Sequence, residues 1–216
     1  MAQTRRRLCS LAALALVGSS GCLGGFGEDP DRFVAPETAV SNAALGETGY
    51  ELDGTEVIEE TRTVEAAGQS RDVEAVNRLS EYHRAIDIAP LGEARAAVFA
   101  TLCTPAASMF GRTFNPIAEM DNRELANRAQ SQYEELSIGE EVDRRTVRMF
   151  DEEVTLSKFE GEATFSSTGI DVFVHTALAE GEEAFVVVFG VYPRLLPDEE
   201  EAIVTLSEGV RIEGEG

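Results

Sequence analysis

Residues 184–192 read A-F-V-V-V-F-G-V-Y, and every position except Gly190 is apolar. The run has no helical period, is rich in Val and Phe, and is followed by Pro193. These features are typical of a short strand that is buried on both faces. Such a strand needs packing partners above and below it. The stretch therefore predicts a sheet with helices on both sides, and by itself it does not indicate a function.

Further candidate strands surround this central one. Residues 142–150, 154–164 and 170–178 precede it, and an acidic turn at Asp151, Glu152 and Glu153 separates the first two. Because the links between successive strands are short, antiparallel pairing is expected.

Two helices are predicted, one before and one after these strands. The first starts at Asp121, which forms a capping-box pair with Glu124, and ends at Gly139. Its apolar stripe consists of Leu125, Ala129, Tyr133 and Leu136. The second starts at the acidic run 198–201, which suits the positive end of a helix dipole. Its apolar stripe consists of Ile203, Leu206 and Val210.

The earlier part of the domain is less clearly patterned. Residues 50–64 are a candidate strand and residues 66–69 a turn, while residues 95–104 form a strand that Pro105 stops. Residues 72–86 fit either a helix capped by Ser70 or the second strand of a hairpin, and the hairpin is favoured. The overall prediction is an α+β domain over residues 47–212, an antiparallel β-sheet flanked by helices on both faces (an α/β/α sandwich).

The first residues carry the marks of an export signal. Arg5, Arg6 and Arg7 precede an apolar run over residues 8–17 and small residues at 18–21. The apolar run is shorter than the ~20 residues that a spanning helix needs. The paired arginines resemble the twin-arginine export motif, and the sequence S-S-G-C that ends at Cys22 resembles a lipobox. Residues 1–21 are therefore predicted to be a signal peptide and Cys22 the site of lipidation, with plain cleavage or an uncleaved anchor as alternatives.

A tether is predicted between this cysteine and the domain. Residues 22–46 are rich in Gly, Ala, Glu and Asp and show no apolar period, although Ser41 could cap one helical turn through Leu45. A random coil of this length spans roughly 25–30 Å. The third cysteine, Cys103, is left without an intrachain partner once Cys9 leaves with the signal and Cys22 carries lipid.

Acidic residues outnumber basic ones throughout the chain. Asp and Glu number 40 against 18 Lys and Arg, which gives a net charge of −22. Such a surface suits a protein that works in very high salt, because at about 1 M salt a Debye length of ~3 Å screens the self-repulsion. The charge argues against nucleic acid as a partner and against a basic patch that adheres to anionic lipid.

Several short segments carry a family resemblance. They are T-G-Y at 48–50, R-A-A-V-F at 95–99, G-R-T-F-N-P at 111–116, N-R-E-L-A at 122–126 and G-V-Y-P at 190–193. With the N-terminal motifs, they make the chain resemble an uncharacterised family of haloarchaeal secreted lipoproteins. The resemblance implies a cell-surface protein and transfers no catalytic residue. The order helix, antiparallel strands, helix over residues 121–210 is also similar to the PsbP and Mog1 type of sandwich, whose members serve mostly as binding or assembly modules.

Catalytic and metal-binding patterns are weak. Cys103 could act as a thiol nucleophile with His83 or His175, but its place in a predicted strand favours a small buried core residue. His175 is expected to be half-buried and hydrogen-bonded. The two histidines have no third ligand at zinc spacing. The sequence thus predicts no catalytic residue, no metal site and no cofactor.

The other polar clusters have simple structural interpretations. The acidic runs 151–153 and 198–201 lack the alternating spacing of a calcium loop, so a solvated turn and a helix start are expected. Ser166 and Ser167 have no nucleophile-elbow frame, and the glycines form no phosphate-binding loop.

The segment 110–116 is the best candidate for recognition. Phe110 and Phe114 offer apolar surface and Arg112 a planar cation, while Asn115 before Pro116 is typical of a turn. A structural role is favoured for this loop, with partner binding as the alternative.

The sequence therefore predicts a lipid-anchored protein on the extracellular face of the cell membrane. It is expected to be a non-enzymatic binding or envelope-scaffolding module with a protein partner. The alternative is a ligand-binding receptor or an enzyme whose site is assembled from distant residues. A deep pocket that joins Arg112, His175 and carboxylates would favour this alternative.

Overall fold

A computed structural model describes residues 31–66, 69–88, 92–109, 112–113, 115–131, 135–165 and 168–213. The N-terminal elements are β1 (Asp31–Val34), β2 (Thr38–Val40), α1 (Asn42–Thr48), β3 (Glu51–Ala66), β4 (Gln69–Ile88) and β5 (Gly92–Pro105). Next come β6 (Ser108–Met109), β7 (Arg112–Thr113), a 3-10 helix (Pro116–Glu119) and α2 (Asn122–Gln130). The C-terminal elements are β8 (Leu136–Met149), β9 (Glu152–Phe165), β10 (Thr168–Glu180), β11 (Ala184–Pro193), α3 (Glu199–Glu208) and β12 (Val210–Ile212).

One large sheet dominates the described residues. Strand β4 pairs on one side with β3, and on the other side with β5 and β1, which lie end to end along it. The order continues from β5 through β11, β10 and β9 to β8. All neighbours are antiparallel except β1 and β4, which run parallel, so the sheet is mixed. Two small ribbons, β2 with β12 and β6 with β7, complete the strands.

The central position of β11 is confirmed. It pairs with β5 on one side and β10 on the other. Val186 and Val188 belong to the core cluster that contains Ile203 and Leu206 of α3, whereas Val187 packs with Leu125 of α2. We call these two sides of the sheet the α3 face and the α2 face.

Gly190 has a packing reason for interrupting the apolar run of β11. A Cβ atom at this position would lie 2.8 Å from Cδ1 of Ile203. Real Cβ atoms do not approach another carbon so closely, so glycine allows α3 to pack directly on the strand.

The predicted α/β/α sandwich is wrong. The three α-helices within the described residues have only 7, 9 and 10 residues, while five strands of the large sheet have 14 or more. A ten-residue helix is about 15 Å long, and seven strands side by side span about 30 Å. The helices therefore cover patches of a mixed, strand-dominated structure and do not form complete layers on its faces.

The first predicted helix is shorter than its apolar stripe suggested. Asp121 and Glu124 form the expected capping box, but α2 ends at Gln130. Leu136 is the first residue of β8, and Tyr133 lies outside the described residues. Similarly, Val210 of the second stripe belongs to β12 and not to α3.

The ambiguous residues 72–86 form a strand. They belong to β4, which pairs antiparallel with β3 from Glu51↔His83 to Ala66↔Gln69. The favoured hairpin is therefore confirmed, although the tip residues 67–68 lie outside the described residues. Apolar residues recur every three positions in β4 because both faces of the strand are buried. Val73 and Val76 lie on opposite faces, and both are buried.

The fold also includes residues that sequence analysis placed in the tether. Residues 31–46 contribute β1, β2 and most of α1. Ser41 caps α1 as expected, with its Oγ accepting a hydrogen bond from the Ala44 amide at 3.3 Å. The predicted signal peptide, Cys22 and residues 23–30 lie outside the described residues.

The turn between β8 and β9 differs from the predicted one. It consists of Phe150 and Asp151, with φ angles of 49° and 63°, as in a two-residue type I′ turn. Glu152 and Glu153 already belong to β9. Among the described residues, no helix has the length and apolar character required to cross a bilayer.

Candidate functional site

A groove of about 70 Å³ opens on the α2 face, beside the outer part of the β3–β4 hairpin. Its apolar lining includes Ile58 of β3, Val73 of β4, Leu102 of β5 and Ile117 of the 3-10 helix. Small-molecule sites usually enclose roughly 300–1,000 Å³. The groove is therefore too small for most metabolites and has the size of a recess for one or two side chains.

Charged groups also line the groove. Arg62 and Glu60 of β3 form an ion pair at 3.2 Å. Arg128, in the last turn of α2, also lines the groove, and its buried Nε has no hydrogen-bond partner among the described residues. The groove therefore combines an apolar floor with a guanidinium, whose N–H groups can donate a hydrogen bond to a further acceptor.

The predicted recognition loop is placed only in part. The Asn115 side chain lines the groove and has a structural role: its amide donates to the Pro105 carbonyl at 3.0 Å and to the Thr104 hydroxyl. Its carbonyl oxygen accepts from the Ile117 amide at 3.0 Å and so caps the 3-10 helix. The backbone of Arg112 pairs with that of Met109. The side chain of Arg112, together with Phe110 and Phe114, lies outside the described residues.

A second concentration of polar groups lies on the α3 face, beneath the first turn of α3. The Glu199 side chain is fully buried and forms an ion pair with the guanidinium of Arg84. The Tyr50 hydroxyl donates to the same carboxylate at 2.9 Å. Arg84 also donates to the Thr48 carbonyl at 3.1 Å. This cluster therefore joins the end of α1, β4 and α3.

The next residue in the chain enters a separate ion cluster. The Glu200 carboxylate accepts from Lys158 Nζ at 2.6 Å and lies 3.0 Å from Nε of Arg145. Lys158 Nζ also lies 3.9 Å from the centre of the Phe173 ring, within cation–π distance. These contacts tie α3 to β8 and β9.

His175 and Tyr192 form a buried pair beside these ions. Nε2 of His175 lies 3.1 Å from the Tyr192 hydroxyl, and the two rings stack at 5.5 Å. Burial, with smaller contributions from Lys158 and Arg145, lowers the pKa of His175 to about 3. Burial, followed by the Glu200 charge, raises the pKa of Tyr192. Both groups are thus neutral near pH 7, and neither has the poised pKa of a general acid or base.

The structure can be compared with the expectations for single residues. The acidic run 198–201 begins α3, as predicted, although Glu199 is fully buried and the Glu200 side chain is only 15% exposed. His175 is hydrogen-bonded as predicted and more deeply buried than expected. Cys103 is a buried core residue, as predicted.

A pocket that joins Arg112, His175 and carboxylates stays untested, because the Arg112 side chain lies outside the described residues. His175 lies on the α3 face, opposite to the groove. Within the described ranges, no three His, Cys, Asp or Glu side chains come together as a metal site would require.

A larger open cleft of about 1,200 Å³ lies beside the β8–β9 and β10–β11 turns. Its charged lining consists of Arg148, Asp151, Glu152, Glu180, Glu182, Glu208 and Arg211. Arg211 donates to the Glu208 and Val210 carbonyls at 2.7 Å, which closes off the C-terminal end of α3. The cleft is a solvated acidic surface that carries no convergent catalytic group.

Sequence reasoning missed the residues that distinguish the groove. Arg62 and Arg128 lie 66 positions apart in the chain, and neither belongs to a motif. The alternation of Ile58, Glu60, Arg62 and Val64 does indicate that they share one face of a strand. Only the pairing of strands could show that this face meets α2.

No curated protein matches the chain. Among solved structures, the chain is similar to the solution structure of cyanobacterial PsbP (CyanoP) from Synechocystis sp. PCC 6803, with 10% identity and a TM-score of 0.37. That alignment covers 89% of this chain and 98% of the other. The similarity is too low to carry an argument about fold or function.

A family comparison covers most of the described residues. The family described as "Domain of unknown function (DUF6517)" matches residues 37–211, from the residue before β2 to the middle of β12. Because the match spans well over half of the sequence, the chain belongs to the DUF6517 family.

Proposed function

We propose that this chain is a lipid-anchored protein on the extracellular face of the cell membrane of a halophilic archaeon, and that its domain is a non-enzymatic binding module. The N-terminal export and lipobox-like motifs support the location, and the excess of acidic residues supports the salt adaptation. The resemblance to haloarchaeal secreted lipoproteins agrees with both.

The observation that carries the binding role is the contrast between the two polar regions. On the α3 face, Glu199 and Glu200 are engaged in ion pairs that hold α3 on the sheet. On the α2 face, the groove beside β3 is open, and apolar side chains and the Arg128 side chain line it. The first arrangement favours stability, and the second favours contact with another molecule.

The proposed anchor would restrict the orientation of the domain. Only eight residues separate Cys22 from Asp31, the first residue of β1. Eight extended residues reach at most about 28 Å. Asp31 pairs with Val73, which lines the groove, so the outer part of the β3–β4 hairpin would lie close to the membrane. A partner at the groove would therefore be a component of the cell envelope.

The anchor is tested by Cys22→Ser in a halophilic archaeal host. We expect the variant to leave the membrane fraction or to retain residues 1–21, and the native chain to gain the mass of a lipid at Cys22. Cys9→Ser, which changes the other N-terminal cysteine, is the matched control and should behave like the native chain. Unchanged membrane retention and mass in Cys22→Ser would contradict the anchor.

The binding role is tested by cross-linking in native salt, followed by isolation of the chain from membranes. A binding module should be recovered with a partner in constant proportion. Recovery of the chain alone, at every cross-linker length used, would contradict the proposal.

A further inference from the structure

Strand β3 forms one edge of the large sheet. Among the described residues, its only sheet neighbour is β4. The pairing is uninterrupted from Gly54↔Glu81 to Ala66↔Gln69, so β3 is long and regular over these residues. Its outer side therefore carries a row of backbone N–H and C=O groups that could pair with one more strand.

The opposite edge differs in a way that discourages further pairing. The register of β8 shifts twice, between Ile138 and Glu141 and between Glu141 and Asp143. Bulges of this kind twist an edge and prevent a new strand from pairing along it. The charges of β8 are also balanced, with three carboxylates and three arginines.

The charge of β3 is strongly one-sided. The strand carries six carboxylates and one arginine. Arg62 pairs with Glu60, and Arg32 of β1 pairs with Glu59, whereas Glu56 is exposed near the start of the regular part. Burial raises the pKa of Glu81, and the charges of Asp53 and Glu56 raise it further. The negative potential at this end of β3 is therefore large enough to act on a neighbouring carboxyl group.

Apolar groups accompany these charges. Val57 and Leu52 are 50% and 53% exposed. On the α2 face, Ile58 and Val64 of β3 line the groove. A strand added beside β3 would place alternate side chains next to Val57 on one face and at the open side of the groove on the other.

We propose that β3 binds an extended, basic segment of a protein partner as an additional strand of the sheet. Backbone hydrogen bonds to the β3 edge hold the segment, and its arginine or lysine side chains pair with the carboxylates of β3. Its apolar side chains contact Val57 and the groove. The inference rests on the proposed binding function and names the chemistry of the partner.

At moderate salt, charge favours this partner over a second copy of the chain. Two β3 edges in contact would bring two sets of six carboxylates together, and like charges opposite one another destabilise a strand pair. A basic segment replaces this repulsion by attraction. High salt weakens the ionic part, whereas the backbone hydrogen bonds and the apolar contacts remain.

The test uses a synthetic peptide that alternates arginine with valine and threonine, and the full chain in detergent. An otherwise identical peptide with glutamate in place of arginine is the control. We expect the basic peptide to bind at least about tenfold more tightly than the acidic one at moderate salt, a difference of about 1.4 kcal/mol. Binding should also lower the pKa of Glu81, measured by carboxyl-carbon NMR.

Proline substitutions test the backbone pairing. Adjacent residues of a strand direct their N–H groups to opposite sides, so Thr61→Pro and Arg62→Pro remove one N–H that points to β4 and one that points outward. The variant that keeps the native melting temperature identifies the outward N–H. That variant should bind the basic peptide about tenfold more weakly, and Glu56→Lys should weaken binding at moderate salt. Glu140→Lys, on the β8 edge, should leave binding unchanged.

Three results would overturn the inference. They are equal binding of the basic and acidic peptides, full binding by the folded proline variant, and a dimer of the chain that the same proline substitution dissociates. The last result would assign the edge to a second copy. If any of them occurs while cross-linking still recovers a membrane partner, only the inference fails; if the chain is always recovered alone, the proposed function fails.

Discussion

The buried carboxylate of Glu199, in the first turn of α3, forms an ion pair with the guanidinium of Arg84 on β4. The next residue, Glu200, contacts Lys158 of β9 and Arg145 of β8. Two consecutive glutamates thus reach opposite parts of the sheet. Their contacts position α3 across the central strands, and the positive end of the helix dipole favours both charges.

Loss of the Glu199 charge should destabilise the fold. Glu199→Gln keeps the shape of the side chain but leaves Arg84 without its ion-pair partner. Removing one partner of a buried pair typically costs 3–5 kcal/mol, and the 35% exposure of Arg84 reduces this. We expect a loss of about 2–4 kcal/mol in the free energy of unfolding, measured with denaturant. Glu201→Gln, at a side chain that is 70% exposed, is the control and should change stability by less than about 0.5 kcal/mol.

The close contact of Gly190 with Ile203 predicts a strong effect of one added methyl group. Gly190→Ala should force α3 away from β11 and cost about 1–3 kcal/mol. Gly54→Ala is the matched control, because a Cβ at Gly54 has no neighbour within 4 Å. It should leave thermal stability unchanged or raise it slightly. Equal melting temperatures for the two variants would contradict the packing argument.

The buried His175 should make stability depend on pH. Its pKa is about 3 in the folded chain, compared with 6.5 for an unperturbed histidine. As the pH falls below 6.5, the unfolded chain binds a proton that the folded chain does not bind, so stability decreases towards pH 3. The stability lost between pH 6.5 and 5 is about 2 kcal/mol. The full contribution of the neutral imidazole to stability is present above pH 6.5. Denaturation at a series of pH values between 6.5 and 5 measures the loss.

His175→Gln separates this effect from the titration of carboxylates. The variant should be less stable at pH 7 but should lose less stability than the native chain between pH 6.5 and 5. If NMR shows that His175 of the native chain becomes protonated near pH 6, its pKa is not lowered by burial, and the prediction is wrong.

The β8–β9 turn offers a stabilising substitution. Asp151 has φ 63°, in the left-handed region where glycine is free of the strain that other residues carry. Asp151→Gly should therefore leave stability unchanged or raise it by up to about 1 kcal/mol, measured by thermal unfolding. Asp151→Val should lower it, because a β-branched residue does not tolerate this conformation. A more stable valine variant would argue against the type I′ turn.

Prediction from sequence succeeded where local chemistry decides the structure. The apolar run of β11, the capping box of Asp121 and the Ser41 cap each depend on residues within a few positions of one another, and all three are confirmed. Prediction failed where one pattern fits two structures. Leu136 has the spacing of a helix residue after Leu125, yet it pairs with Ala163 in the sheet, because tertiary contacts override weak local propensity.

For the candidate site, the sequence singled out the segment 110–116, of which only the Asn115 side chain is described at the groove. The groove itself brings Ile58, Leu102 and Arg128 together. None of these residues is recognisable by its neighbours in sequence, because the site arises from the packing of α2 beside a distant hairpin.

The sequence alone therefore determined that the chain contains a two-sided buried strand, a helix capped by Ser41 and a helix that begins with the capping box of Asp121. These features follow from side-chain periodicity and capping, which act over one or two turns or a few strand residues. Only the tertiary structure decided that the helices cover patches of a much larger mixed sheet, that Glu199 is buried, and that β3 is an edge strand among the described residues. Those outcomes depend on which strands pair and in what register. Strand pairing is set by contacts between residues that are far apart in the sequence, so no local segment predicts it.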